Sequence, residues 1–398
     1  MNKNIAGKPT LYLSQIFNKN EGGSCAFPLT HEKCFYFYSA RYALSAGIKA
    51  LDIGSNDAIL LPSYNCGIEV DAVLYHNISP VYYKINKNLL VDIDDLLRKI
   101  TKNVKAILIT HFLGFPQPID EIKKICIENN LFLIEDCAHA FLSTYNNSPL
   151  GSFGDISVFS LLKTLPIPNG GALVINNKDI KCRQNSEEPS LFSTLFFTTE
   201  LLKQRTTSNN HLIKKSIIQI LNIGFFLFVA FLRFFLAVFR KLFHKKGLYF
   251  VRPDSYFFIP EICSWGIARS SKNIIYNSDF AKIKNTRRRN FEYLLDYFIN
   301  NERAILPIKK LPPGMCPLFF PIIVESAEKR DVLYKTLKSR GITTHDWWKR
   351  SHPEVPWDKF PDAAYLKQRL FGLPIHQDLT LDHINRIIDE FEKVYQSI

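Results

Sequence analysis

Leu131-Phe132-Leu133-Ile134-Glu135-Asp136-Cys137-Ala138-His139 is an apolar run that ends on two carboxylates, and its reading decides the fold. It reads as a buried strand that delivers Asp136 to its C-terminal edge, where open α/β sheets place their ligands. A second run, Asp155-Ile156-Ser157-Val158-Phe159-Ser160, is followed by Lys163, 27 residues after Asp136, and then by Gly170-Gly171-Ala172-Leu173-Val174-Ile175, a tight turn into another strand. An acid and an amine are thereby expected at one sheet edge. Working outward, short β-rich runs at Ala58 to Leu61, Pro80 to Ile85 and Val104 to Thr110 alternate with helical patterns, which predicts a mainly parallel sheet flanked by helices. Past residue 265 the pattern becomes a helix around Arg287 to Leu295, a strand at Leu318 to Val324, and helices near Lys329 to Arg340 and Leu381 to Tyr395. We therefore expect a large α/β domain over 1–260, interrupted by a hydrophobic insertion at about 185–255, and a smaller α+β domain over 261–398.

A lysine and a carboxylate at one sheet edge are what pyridoxal 5'-phosphate chemistry requires. The lysine holds the aldehyde, and the carboxylate keeps the pyridine nitrogen protonated so that the ring can accept electrons. Alone, each has a plainer reading: a lysine in a loop is a solvated charge, and an aspartate after a strand caps the next helix. Six elements argue otherwise by their order and spacing: Ser39-Ala40-Arg41, Pro62-Ser63-Tyr64, Thr110 to Gly114, Glu135 to His139, Gly154 to Ser160, and Lys163 to Ala172. In them the chain resembles the DegT/DnrJ/StrS-type sugar aminotransferases, most specifically between residues 35 and 180 and again around Leu373 to His376.

That resemblance implies a fold type I transferase using pyridoxal 5'-phosphate, with Lys163 and Asp136 as catalytic residues. Lysine rather than histidine at position 163 places it with the aminating branch. His139 matches the position that approaches the cofactor's phenolic oxygen. Ser39, Ala40 and Arg41 correspond to a Ser-Gly-Thr phosphate loop, so amide donation survives while the threonine hydroxyl is lost; Ser39 would equally serve as an ordinary helix cap. Ser160 is a second phosphate candidate on a shortened loop. Cys66 stands where the family carries an aromatic ring that stacks on the pyridine, so Tyr64 or His139 is expected to cover it instead. In the C-terminal part His345, Trp347, Trp348 and His376 are candidates for substrate contact.

The implied reaction moves an amino group from an amino acid, glutamate by resemblance, to a keto sugar on a nucleotide, in a homodimer serving polysaccharide biosynthesis. The net charge of +13 suits acidic small molecules and anionic lipid, and no nucleic-acid motif accompanies it. Eight scattered cysteines form neither a Cys-x-x-Cys pair nor a disulfide framework, so no metal site is expected. The opening Met1 to Lys8 lacks the apolar core of a signal peptide, which predicts a cytoplasmic protein. Ser216 to Phe243, flanked by Lys214-Lys215 and Lys245-Lys246, reads as an amphipathic helix of about 42 Å lying in a membrane surface, or as an oligomerisation helix. It keeps open two other readings: an enzyme for a lipid-linked or acyl ketone, and a catalytically silent membrane-bound regulator.

Overall fold

The computed structural model describes residues 4–17, 25–183, 186–208, 251–253, 257–301, 304–345, 348 and 352–397. The segment 216–243 and Trp347 lie outside these residues. Among the described residues no helix is long and apolar enough to cross a membrane.

The main sheet follows the alternation in the sequence. It contains β1 (Cys34–Phe37), β2 (Ala58–Pro62), β3 (Ser79–Tyr83), β4 (Val104–Thr110) and β5 (Phe132–Asp136). A two-residue hairpin, β6 (Thr144–Tyr145) and β7 (Ser148–Pro149), precedes the sheet's last members, β8 (Ile156–Ser160) and β9 (Gly171–Ile175). The order is β1-β9-β8-β5-β4-β2-β3. Strands β3, β2, β4, β5 and β8 are parallel, because each connection but one carries a crossover helix such as Ile68–Tyr75 or Ile119–Glu128. The link from β8 to β9 is too short for a crossover, so β9 returns antiparallel. The edge strand β1 was not expected; only its pairing with β9 holds it, and its four residues show no clear alternation. Strands β4, β5 and β8 are in register at Thr110, Asp136 and Val158, which brings Asp136 to the sheet's C-terminal edge.

A second apolar cluster surrounds the antiparallel pair β10 (Phe319–Ile323) and β11 (Leu370–Pro374), with Phe291, Phe298, Phe320, Phe371 and Phe391 fully enclosed. Helix Leu381–Tyr395 covers it with Ile384, Ile387, Ile388, Phe391 and Val394, the three-to-four spacing of a single buried face. Arg287, on helix Phe280–Phe298 and 1% exposed, ties this part to the main sheet. Its guanidinium donates to the carbonyl of Leu318 at 3.0 Å and of Thr164 at 3.4 Å, and its Nε to Gln377 at 3.1 Å.

Candidate active site

A cavity of about 170 Å³ opens at the C-terminal edge of β5 and β8, and both Asp136 and Lys163 line it. Asp136 is the last residue of β5 and its Oδ1 accepts the amide of Ala138 at 2.8 Å. That closes a local turn; no helix begins there, so the helix-cap reading fails. Burial pushes the Asp136 carboxyl up to about 6, nearby Glu69 adds to the rise, and Lys163 opposes it. Lys163 is half-buried on the one-turn helix Leu161–Thr164, not on an open loop. Prolines at 166 and 168 stop that helix, and Leu161 N on Gly170 O (3.1 Å) and Gln377 Nε2 on Thr164 O (3.0 Å) fix its ends.

At the other end of the cavity helix Ala40–Ala50 begins with Ser39 as N-cap, yet the Ser39 side chain makes no capping bond. Among the described residues its hydroxyl is buried without a hydrogen-bond partner, and it lines the cavity together with Ala40 and Arg41. A buried hydroxyl left unmatched at a helix N-terminus fits a phosphate oxygen. Gly171 explains how close the chain is drawn here, since a Cβ on it would stand 2.3 Å from the Ser39 carbonyl carbon and 2.4 Å from Ala40 N. Arg41 is buried, and its guanidinium donates to the Phe257 carbonyl at 2.6 Å. Ser160 also lines the cavity, as N-cap of the Lys163 helix, again without a side-chain capping bond.

Cys66 and His139 line the cavity as well. His139 Nδ1 accepts the Leu113 amide at 3.3 Å, and burial together with Lys163 holds the imidazole well below its usual range, so the ring is neutral with its proton on Nε2. Tyr64 is not in the lining. It sits behind, 1% exposed, its ring 4.7 Å from that of Trp348. Trp348 is the aromatic residue that does enter the cavity, its ring 5.5 Å from His139. Its backbone is left-handed at φ 51, a conformation a bulky residue adopts only when its surroundings impose it.

Three contributions were not foreseen. Glu69 lines the cavity at 4% exposure. Glu135, pointing to the opposite face from Asp136, accepts the amides of Gly151 (2.8 Å), Phe153 (2.7 Å) and Gly154 (2.6 Å) and binds His111 Nε2 at 2.9 Å. His111, Glu135 and Cys137 are close enough to hold a metal, but these hydrogen bonds already occupy the carboxylate, which makes the group a brace for β5. Lys8 is the third, and the two C-terminal histidines put it there. His376 binds the carbonyl of Ala6 at 2.9 Å and His345 that of Gly7 at 3.1 Å. Neither lines the cavity; they pin the N-terminal segment across it.

This pinning has a pH signature. Burial lowers His345 to about 3 and His376 to about 4, against 6.5 for an exposed imidazole. The folded state holds them neutral, so their stability is present above pH 6.5 and is lost as pH falls towards 4 to 3. Asp136 works in the opposite direction, gaining its proton near 6 in the folded chain. Between pH 7 and 5 we expect a net loss of roughly 1–3 kcal/mol, measured by urea unfolding, and about three quarters of it removed in His376→Gln.

The family model described as the DegT/DnrJ/EryC1/StrS aminotransferase family matches residues 21–186 and 278–392. Over 141 residues the chain is 36% identical to GDP-perosamine synthase of Escherichia coli O157:H7, covering 35% of this chain and 39% of that protein. It is 32% identical over 143 residues to dTDP-4-dehydro-2,3,6-trideoxy-D-glucose 4-aminotransferase of Saccharopolyspora spinosa, covering 35% and 37%. The chain thus spans about two fifths of the length of the curated relatives it matches. Among solved structures, Helicobacter pylori PseC, an aminotransferase involved in the biosynthesis of pseudoaminic acid, shares the fold with a TM-score of 0.64 at 18% identity over 100% of both chains. The aminotransferase TlmJ from Streptoalloteichus hindustanus does so at 0.62 and 17% identity, over 92% of this chain and 86% of that one.

Proposed function

The chain belongs to the DegT/DnrJ/EryC1/StrS aminotransferase family, and from that premise we propose that it transfers an amino group from an amino acid to a keto sugar carried on a nucleotide. The observation that carries the proposal is the cavity itself: an amine, a buried carboxylate and an unmatched hydroxyl at a helix N-terminus face one space. These residues suit pyridoxal 5'-phosphate, which when bound supplies an aldehyde for the amine and a ring that accepts electrons.

In this reading Lys163 holds the aldehyde through Nζ, then carries a proton away from the substrate carbon and returns it. Asp136 balances the positive edge of the ring. Its carboxyl rises to about 6 because of burial and of nearby Glu69, and a cation set against it would restore the carboxylate. Ser39 Oγ and the first amides of helix Ala40–Ala50 would hold the phosphate, with Arg41 adding positive charge at that end. Neutral His139 can donate from Nε2 to an oxygen of the ring. A homodimer is part of the same proposal and is tested by solution mass.

The nucleotide has a place to go. A second chamber of about 250 Å³ shares Lys8, Leu162 and Pro253 with the first and is lined by Phe196, Phe197, Gln204, Arg252 and Glu200, the last paired with Lys203 at 3.0 Å. Most of these residues lie between the two stretches matched by the family, at 187–277. Two cations beside two aromatic rings suit a diphosphate joined to a planar base. Arg252→Ala should raise KM for the nucleotide sugar about tenfold with kcat nearly unchanged, and an unchanged KM would place the nucleotide elsewhere. The names of the relatives favour a nucleotide-linked sugar over a lipid-linked ketone, and the segment 216–243 that prompted the latter lies outside the described residues.

The decisive experiment adds pyridoxal 5'-phosphate to the purified chain. A visible absorbance band that borohydride removes, followed by turnover on a panel of nucleotide-linked keto sugars with glutamate as donor, is the expected result. Absence of the band would end the proposal.

A further inference from the structure

The cavity holds a carboxylate that the proposed reaction does not use. Glu69 stands on the first turn of helix Ile68–Tyr75, three residues after Cys66, whose Sγ donates to Glu69 Oε2 at 3.1 Å and Oε1 at 3.4 Å. The turn that sets this pair is fixed on both sides. Asn65 Nδ2 donates to the Pro62 carbonyl at 2.8 Å, and Asn65 Oδ1 accepts the Gly67 amide at 2.9 Å. Gly67 itself is left-handed at φ +86, with space for a Cβ only 3.0 Å from His352 Cβ.

A thiol is a weak donor, and among the described residues the hydrogen bonds to the Glu69 oxygens come from Cys66 alone. A carboxylate 4% exposed and so poorly solvated calls for a cation. Lys163 is the ammonium that shares this floor, and it faces Asp136 as well. Two buried acids against one amine leave a negative charge to be met. Arg41 follows the Ser39 end of the cavity, where the negative charge of a phosphate would engage it, and Lys8 stands where the cavity meets the second chamber.

We propose that Glu69 is a second carboxylate for the cationic edge of the cofactor ring, acting beside Asp136, and that Cys66 is its clamp rather than a stacking or reactive group. This rests on reading the cavity as a pyridoxal phosphate site. It also accounts for the missing ring at position 66: electrostatic attraction at the floor takes over part of the hold that stacking gives in the family. The Cys66 thiol is pushed well above its usual range by burial and by Glu69, as suits a clamp that must keep its proton.

The test compares binding of pyridoxal 5'-phosphate with that of its carbocyclic analogue, in which the ring nitrogen is replaced by carbon, to the cofactor-free full chain by tryptophan fluorescence. The wild-type chain should prefer pyridoxal phosphate. Glu69→Gln should lower that preference about tenfold while affinity for the analogue stays within about threefold, and Glu69→Asp should keep most of it. Cys66→Ala, which removes the clamp and keeps the charge, should lower the preference about threefold, a second measure should Glu69→Gln fold poorly. An unchanged preference in Glu69→Gln, or in Cys66→Ala if only that variant folds, overturns the inference and leaves the cofactor reading standing. A wild-type chain that binds neither compound overturns both.

Discussion

Lys163→Ala should leave a folded protein without the borohydride-sensitive band and with turnover reduced about 10⁴-fold or more, because in the proposed reaction the residue serves both as the covalent anchor and as the proton carrier. Stability should stay within about 1 kcal/mol of the parent. The reason lies in what holds the one-turn helix: Leu161 N on Gly170 O, and Arg287 and Gln377 on Thr164 O, none of which involves the Lys163 side chain. An electrostatic consequence follows. Lys163 is the cation that lowers Asp136, so its loss should drive that carboxyl above the value of about 6 it has beside the amine. Carbonyl infrared absorption of the Asp136 acid at neutral pH would register this. A variant that keeps both the band and its turnover would remove the basis of the proposed function.

Asp136 and Lys163 were legible because they sit on backbone the sequence strongly dictates. Asp136 ends a strand that burial writes as an apolar run, and Lys163 stands between two strands whose connection is too short to cross over. Cys66, His139, Ser39, Ala40, Arg41 and Ser160 came instead from the resemblance to the family, and all line one cavity. Tyr64 came from the same resemblance but is turned behind Trp348. What escaped was set by contacts between distant parts of the chain. Lys8 reaches the cavity because His345, His376, Asp378 and the backbone around Ile342 hold a segment more than 300 residues away in sequence, and a lysine near an N-terminus gives no sign of that. Arg287 read only as part of a helix, whereas four carbonyl or amide oxygens on other parts of the chain draw it inside. Glu69 was not readable from helical spacing, because Cys66 precedes the helix and only the left-handed turn at Gly67 brings its thiol to the acid. Nor was its depth in the cavity, since helix Ile68–Tyr75 buries residues on more than one side.

Asp136→Asn should lower turnover by roughly 10²-fold or more while the chain still binds pyridoxal 5'-phosphate. The substitution is informative because the amide keeps what the carboxylate does for the backbone. Its Oδ1 can still accept the Ala138 amide, now at 2.8 Å, so the turn after β5 survives and any loss reports on charge. A neutral amide cannot favour a protonated ring nitrogen, and the expected sign is therefore a cofactor bound more weakly and a ring that accepts electrons poorly. Glu69 makes the outcome more specific. If both acids act on the same positive edge, Asp136→Asn retains part of the preference for pyridoxal phosphate over its carbocyclic analogue, and the double variant Asp136→Asn/Glu69→Gln loses more than the two single losses combined. Strict additivity would mean that the two carboxylates act on separate groups. Turnover within a few-fold of the parent in Asp136→Asn would reduce Asp136 to a turn-forming residue, and the ring nitrogen would then have to owe its proton to Glu69 alone.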